Sequence, residues 1–159
     1  MMKKRINIFV SFAVRNNSLV KDFIERFNEY ILPSKNFEYR IWMSSQLHPG
    51  EEWDEKIQEQ MERCDCAVML VSPAFLISKY IVDKELPILI NKPIVLPVML
   101  HEVDLKRHDL HGLEKLQIYR LKSDSFKEPR AYYSLKAKRR DDFVKGLFVE
   151  LEARLSEEL

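Results

Sequence analysis

The stretch Tyr39–Leu86, YRIWMSSQLHPGEEWDEKIQEQMERCDCAVMLVSPAFLISKYIVDKEL, limits the fold more than any other part of the chain. It reads as strand, Pro-Gly loop, amphipathic helix, apolar strand, Ser-Pro turn and a further helix. Strands and helices in alternation call for a parallel sheet. The order also brings a loop and one acidic residue, Glu85, to the C-terminal end of that sheet, where α/β proteins bind their ligands.

The flanking sequence extends the pattern. Ile6–Phe12 (INIFVSF) is a near-continuous apolar strand suited to a sheet covered on both faces. Asn16, Asn17 and Ser18 offer helix caps, and Leu19, Phe23, Phe27, Tyr30 and Ile31 recur at helical spacing up to Pro33. Phe37–Met43 is a second, more exposed strand, followed by the turn-forming loop Ser44–Gly50. Glu51–Arg63 is a helix with Trp53, Ile57, Gln60, Met61 and Cys64 facing inward. Cys66–Val71 is the third strand. Phe75–Asn91 is mostly helical, and Pro87 inside it predicts a kink or break near Asp83–Glu85.

Ile94–Leu100 is the fourth strand, where Pro97 predicts a bulge or altered edge pairing. Leu116–Leu121 is a weak fifth, after an irregular stretch from His101 to Lys115 and before a loop over Lys122–Ser134. Phe143, Val144, Leu147, Phe148, Leu151 and Leu155 mark one face of a terminal helix. The expected architecture is an α/β flavodoxin-like three-layer sandwich with a five-stranded parallel sheet in the order 2-1-3-4-5. It is a single domain over 1–159, with a core over about 6–121 and the terminal helix over about 139–157.

Composition removes several classes of function. With 26 basic and 25 acidic residues the chain carries +1, which gives no electrostatic reason to bind nucleic acid or a membrane surface. Apolar runs such as Ile94–Leu100 fall well short of the roughly 20 residues a bilayer requires. Met1–Arg5 has the charge of a signal-peptide start. The apolar stretch after it is broken by Asn7 and Ser11 and lacks a cleavage site, so a cytoplasmic protein is expected. Three glycines leave no Gly-rich phosphate loop. Cys64 and Cys66 would point the same way in a strand, are poorly spaced for a disulfide, and read as buried structure. His101, His108 and His111 cluster in a polar loop, but no helical carboxylate–His spacing supports a metal, and none is expected.

Glu85 is the leading candidate for chemistry. Ile81, Glu85 and Ile88 or Leu89 fall on one helical stripe, which sets a carboxylate on an apolar face. Spacing alone leaves two readings open: a reactive group, or a structural carboxylate paired with Lys84 or a backbone amide. The run KAKRR (Lys136–Arg140) reads as a solvated helix start. With the acidic Glu150–Glu158 end it makes a charge-asymmetric surface fit to meet a partner.

Three segments in order, FVSFA, YRIW…LHPGEEW and VMLVSPAFLISKYIVDKEL, resemble a TIR domain of the bacterial kind, and IVLPVML and Leu116-Gln117 continue the likeness. It covers about Ile6 to Leu121. TIR domains comprise enzymes that cleave NAD at the nicotinamide–ribose bond and adaptors that only assemble. The resemblance implies a catalytic role for Glu85, at the place of the glutamate essential in the enzymes. It implies a substrate pocket formed by Ser11, Phe12, Ala13, Trp42, Tyr80 and Ile81. Ile81 stands where several family members carry tryptophan, which leaves stacking to Phe12 or Tyr80.

The loop holding Leu47, His48, Pro49 and Gly50 corresponds to the segment through which TIR domains contact each other, although Ser44 stands where many relatives have Asp. A plain solvated turn is the alternative for that loop, and a core anchor the alternative for Trp42. The resemblance thus implies an NAD-consuming enzyme that uses NAD as substrate and needs no cofactor. Its expected products are nicotinamide and ADP-ribose or a cyclic or rearranged derivative. Self-association and a place in antiphage defence go with that reading. The alternative is a non-catalytic adaptor. A third reading makes the chain one domain of a longer system, triggered by a separate sensor or effector protein.

Overall fold

Both sets of alternating side chains in β1 (Lys4–Ser11) are buried, Ile6, Ile8 and Val10 on one side and Phe9 and Ser11 on the other. Such a strand needs cover on two faces. The computed structural model, which describes residues 2–43 and 51–158 apart from the side chains of 51–54, supplies it. Among these residues β1, β2 (Phe37–Met43), β3 (Cys66–Val71) and β4 (Ile94–Met99) form one parallel sheet in the order β2-β1-β3-β4. Ile8 lies beside Ile41 on one neighbour and Cys66 on the other, and Val68 beside Leu96.

Helices α1 (Asn17–Ile31) and α5 (Ala137–Glu158) cover one face. Phe23, Phe27, Phe143, Val144 and Leu147 pack there on Ile8, Val10, Val68 and Val98. The other face carries α2 (Glu51–Arg63), α3 (Pro73–Leu76) and α4 (Leu86–Leu89), whose Ile57, Met61, Phe75, Leu86 and Leu89 meet Phe9, Ala67, Met69 and Val71. The chain thus alternates sides as a doubly wound sheet requires.

Four expectations need correction. The sheet has four strands among the described residues: Leu116–Leu121 pairs with β4 only at Tyr119, which bridges Val98, and Leu121 turns back to Arg130. Of the two outcomes expected at Pro97, the bulge is absent, and pairing on the outer edge is reduced to that one bridge. The Pro97 carbonyl accepts from Tyr119 at 2.8 Å on the outer edge of β4, so its missing N–H also faces outward and the register with β3 runs unbroken. Cys64 and Cys66 point to opposite faces, because Cys64 closes the helical segment after α2 while Cys66 begins β3. The start of α5 is only partly solvated. Arg140 donates to Asp22 at 2.9 Å and lies over the Tyr132 ring, and Arg139 lies over Phe126.

The break expected near Asp83–Glu85 is present in an unusual form. After α3 the chain runs irregularly to Ser78, then Ile81–Glu85 forms a π-helical turn in which the Leu86 amide donates to the Ile81 carbonyl, five residues back. Spacing returns to α at once, with Ile90 N–H bonded to the Leu86 carbonyl at 3.0 Å. Helical π turns of this length occur mostly as single insertions and often at functional sites.

Candidate functional site

Ser11 ends β1, an inner strand flanked by β2 and β3, on the face that turns toward α4. Glu85 ends the π turn on the helical segment covering that face. Both side chains have no solvent-accessible surface, and the Ser11 hydroxyl donates to Glu85 Oε1 at 2.5 Å. Burying a carboxylate costs several kcal/mol unless hydrogen-bond donors replace water, so a donor fixed in the sheet is a physical requirement of this position. The structural alternative named Lys84 or a backbone amide as the partner. Lys84 is exposed, and the Ser11 hydroxyl is one donor that the carboxyl has. The signal was present in β1, where Phe9, Ser11 and Ala13 share a face and only one of the three carries a donor.

The remaining pocket residues divide. Ala13 and Ile81 are buried in the same apolar cluster as Leu86 and Leu89, on the side of the carboxylate. Trp42 is half-buried and packs against that cluster, and its indole N–H is buried without a hydrogen-bond partner among the described residues. Tyr80, half-buried, begins the turn that delivers Glu85. Phe12 stands apart. Alternation along the strand turns its ring into the α1/α5 cluster, on the opposite face from Glu85. Leu47, His48, Pro49 and Gly50 lie outside the described residues, as does the side chain of Trp53.

Other reactive groups are committed elsewhere. Burial pushes the Cys64 thiol up to about 11 and raises Cys66 further, so neither is a ready nucleophile near neutral pH. His101 stacks on Tyr133 at 4.1 Å, His108 Nδ1 accepts the Asp104 amide, and His111 Nε2 bonds the Leu76 carbonyl at 2.8 Å. Among the described residues no three His, Cys, Asp or Glu side chains are gathered to hold a metal. A groove of about 600 Å³ runs between the 116–122 segment and α5, lined by Leu96, Tyr119, Leu121, Gly146 and Arg154. None of its lining residues belongs to the Glu85 constellation, so its size does not identify the site.

No helix among the described residues is long and apolar enough to cross a membrane. What the site offers is one buried carboxyl group at the C-terminal end of a parallel sheet, bonded by the Ser11 hydroxyl beside an apolar cluster; when ionised it is an anion set out of water. Such a group can stabilise positive charge developing on a ligand, and its environment amplifies the effect. No curated protein matches the chain closely enough to add to this picture. A family model described as TIR domain matches residues 8–135, which runs from the second half of β1 to the turn before α5. The chain belongs to the TIR domain family.

Proposed function

We propose that this protein is an NAD-cleaving TIR enzyme with Glu85 as its catalytic residue. The observation that carries the reading is the buried Ser11–Glu85 pair at the sheet's C-terminal end. A domain that only assembles gains nothing from holding a carboxylate out of water there, whereas a glycosidic cleavage does. Ordinary glycosidases need two carboxyl groups, because one must protonate a poor leaving group. Nicotinamide in NAD is already a cationic pyridinium and departs neutral. One anion then suffices to stabilise the oxocarbenium-like ribosyl cation and to orient the ribose hydroxyls.

The C1′–N bond breaks with its electron pair going to nicotinamide. Water completing the reaction gives ADP-ribose, and an internal nucleophile gives a cyclic or rearranged product. The reading also includes activation by TIR–TIR contact, a cytoplasmic setting and a role in bacterial antiphage defence.

One observation favours the second reading, a non-catalytic adaptor: the carboxylate is wholly covered in this structure, so a ligand reaches it only after its surroundings shift. Nicotinamide release from NAD, followed at rising protein concentration with and without a crowding agent, separates the two. The enzyme reading expects turnover that climbs more steeply than protein concentration. Self-association by light scattering without any nicotinamide supports the adaptor.

A further inference from the structure

Pro87 is exposed and sits two residues beyond Glu85. On an unbroken α-helix its ring would meet the carbonyl of Asp83 and its nitrogen would leave that carbonyl without a donor. The chain avoids the clash by inserting one residue into the turn just before it: Leu86 N–H reaches back to Ile81, and α spacing resumes only past the proline.

That insertion decides where Glu85 points. At about 100° per residue, an α-helix would place Glu85 about 40° from Ile81, with Leu89 at about 80° and Leu86 at about 140°. The carboxylate would then stand inside the apolar stripe. The wider π turn brings Leu86 back beneath Ile81, so Ile81, Leu86 and Leu89 close into one narrow stripe, all buried. Glu85 moves to the margin of that stripe, where the Ser11 hydroxyl meets it. The apolar residues gain a continuous face and the acid gains a donor from the same distortion.

We infer that Pro87 is a positioning residue: it imposes the π turn, and the π turn aims the Glu85 carboxylate at the end of β1. For turnover, the inference rests on the proposed catalytic role of Glu85. Its structural half stands independently of that role.

The test is Pro87→Ala in the full chain, read three ways. A crystal structure or amide hydrogen-bond couplings should show Leu86 N–H moved to the carbonyl four residues back, with the Ser11–Glu85 bond lost. Nicotinamide release should fall at least tenfold in kcat with KM within twofold. The thermal midpoint should change little, because the better helix propensity of alanine offsets the donor lost to the buried acid. A π turn that persists in Pro87→Ala overturns the inference, whatever the turnover. So does full kcat in a variant whose π turn is gone, or a rise in KM with kcat unchanged. If the unaltered protein releases no nicotinamide, the proposed function fails, and the structural readout still decides whether Pro87 sets the turn.

Discussion

The two faces of the sheet are built to different standards. The α1/α5 face has two long helices, an aromatic cluster in which Phe23, Tyr132 and Phe143 meet edge to face, and two polar clasps. In one clasp Asp22 accepts from Tyr132 and Arg140; in the other Glu152 accepts from Ser34, Tyr39 and Asn36. The α2–α4 face has helical pieces of four residues, a π turn and a buried carboxylate. One side holds the fold together, and the other carries the irregular helical turn and the costly buried carboxyl where the candidate chemistry sits. Proteins commonly divide labour in this way, since strained or costly groups persist only when the rest of the fold over-determines them.

The comparison predicts that truncation on the α1/α5 face costs the most stability. Phe143→Ala should lose about 3–5 kcal/mol by denaturant unfolding, because the ring is fully buried among three others. A loss below about 1 kcal/mol would mean that this face is not the anchor.

Gly146→Ala comes next, at about 1–3 kcal/mol. A methyl group there meets the Tyr119 hydroxyl, which is fixed by its bond to the Phe143 carbonyl at 2.8 Å. The damage should fall on the single bridge that stands in for a fifth strand, visible as faster amide exchange at Tyr119. Equal protection in both proteins would show that Tyr119 yields freely.

On the other face, Ser11→Ala should cost about 1–3 kcal/mol for a buried acid deprived of a donor. The loss should shrink in a Glu85→Gln background. Identical losses in the two backgrounds would show that the pair is not coupled.

The smallest effect expected is in acid. Burial opposes ionisation of Glu152, but the Ser34 and Tyr39 hydroxyls and the Asn36 amide outweigh it and hold the carboxyl below its usual 4.5. For Asp22 too burial is the largest single influence, and the Tyr132 and Arg140 bonds overcome it to hold the group below 3.8. A carboxyl depressed on folding contributes stability that is present above its unfolded value and lost as pH falls through the folded one. The thermal midpoint should therefore fall below about pH 4.5, and less steeply in Glu152→Gln. An unchanged acid slope in that variant would remove the clasp from the account.

How much of this was legible in the sequence follows the same division. Phe37–Met43, Glu51–Arg63 and Cys66–Val71 coincide with β2, α2 and β3, since strong periodicity and turn residues define their ends. The buried face of α5 was visible in Phe143, Val144, Leu147, Leu151 and Leu155, with Phe148 only partly buried beside them. The fifth strand was not: Leu116–Leu121 has strand-like composition but pairs only through Tyr119, and composition carries no pairing information. Arg140 looked like solvated charge because its partner Asp22 is far away in sequence. At the site, Glu85 stood out as an acid among apolar residues, and Pro87 announced a break. The kind of break was hidden, because a kink and a π turn follow from the same proline. Ser11 as the donor to Glu85 required knowing that β1 and α4 share a face.

The central claim is that Glu85 does chemistry that the rest of the fold does not need. The most direct measurement compares the protein with Glu85→Gln, following nicotinamide release by proton NMR and thermal unfolding on the same samples. The account predicts that turnover disappears in Glu85→Gln while the thermal midpoint holds or rises. Turnover that survives the substitution would contradict it.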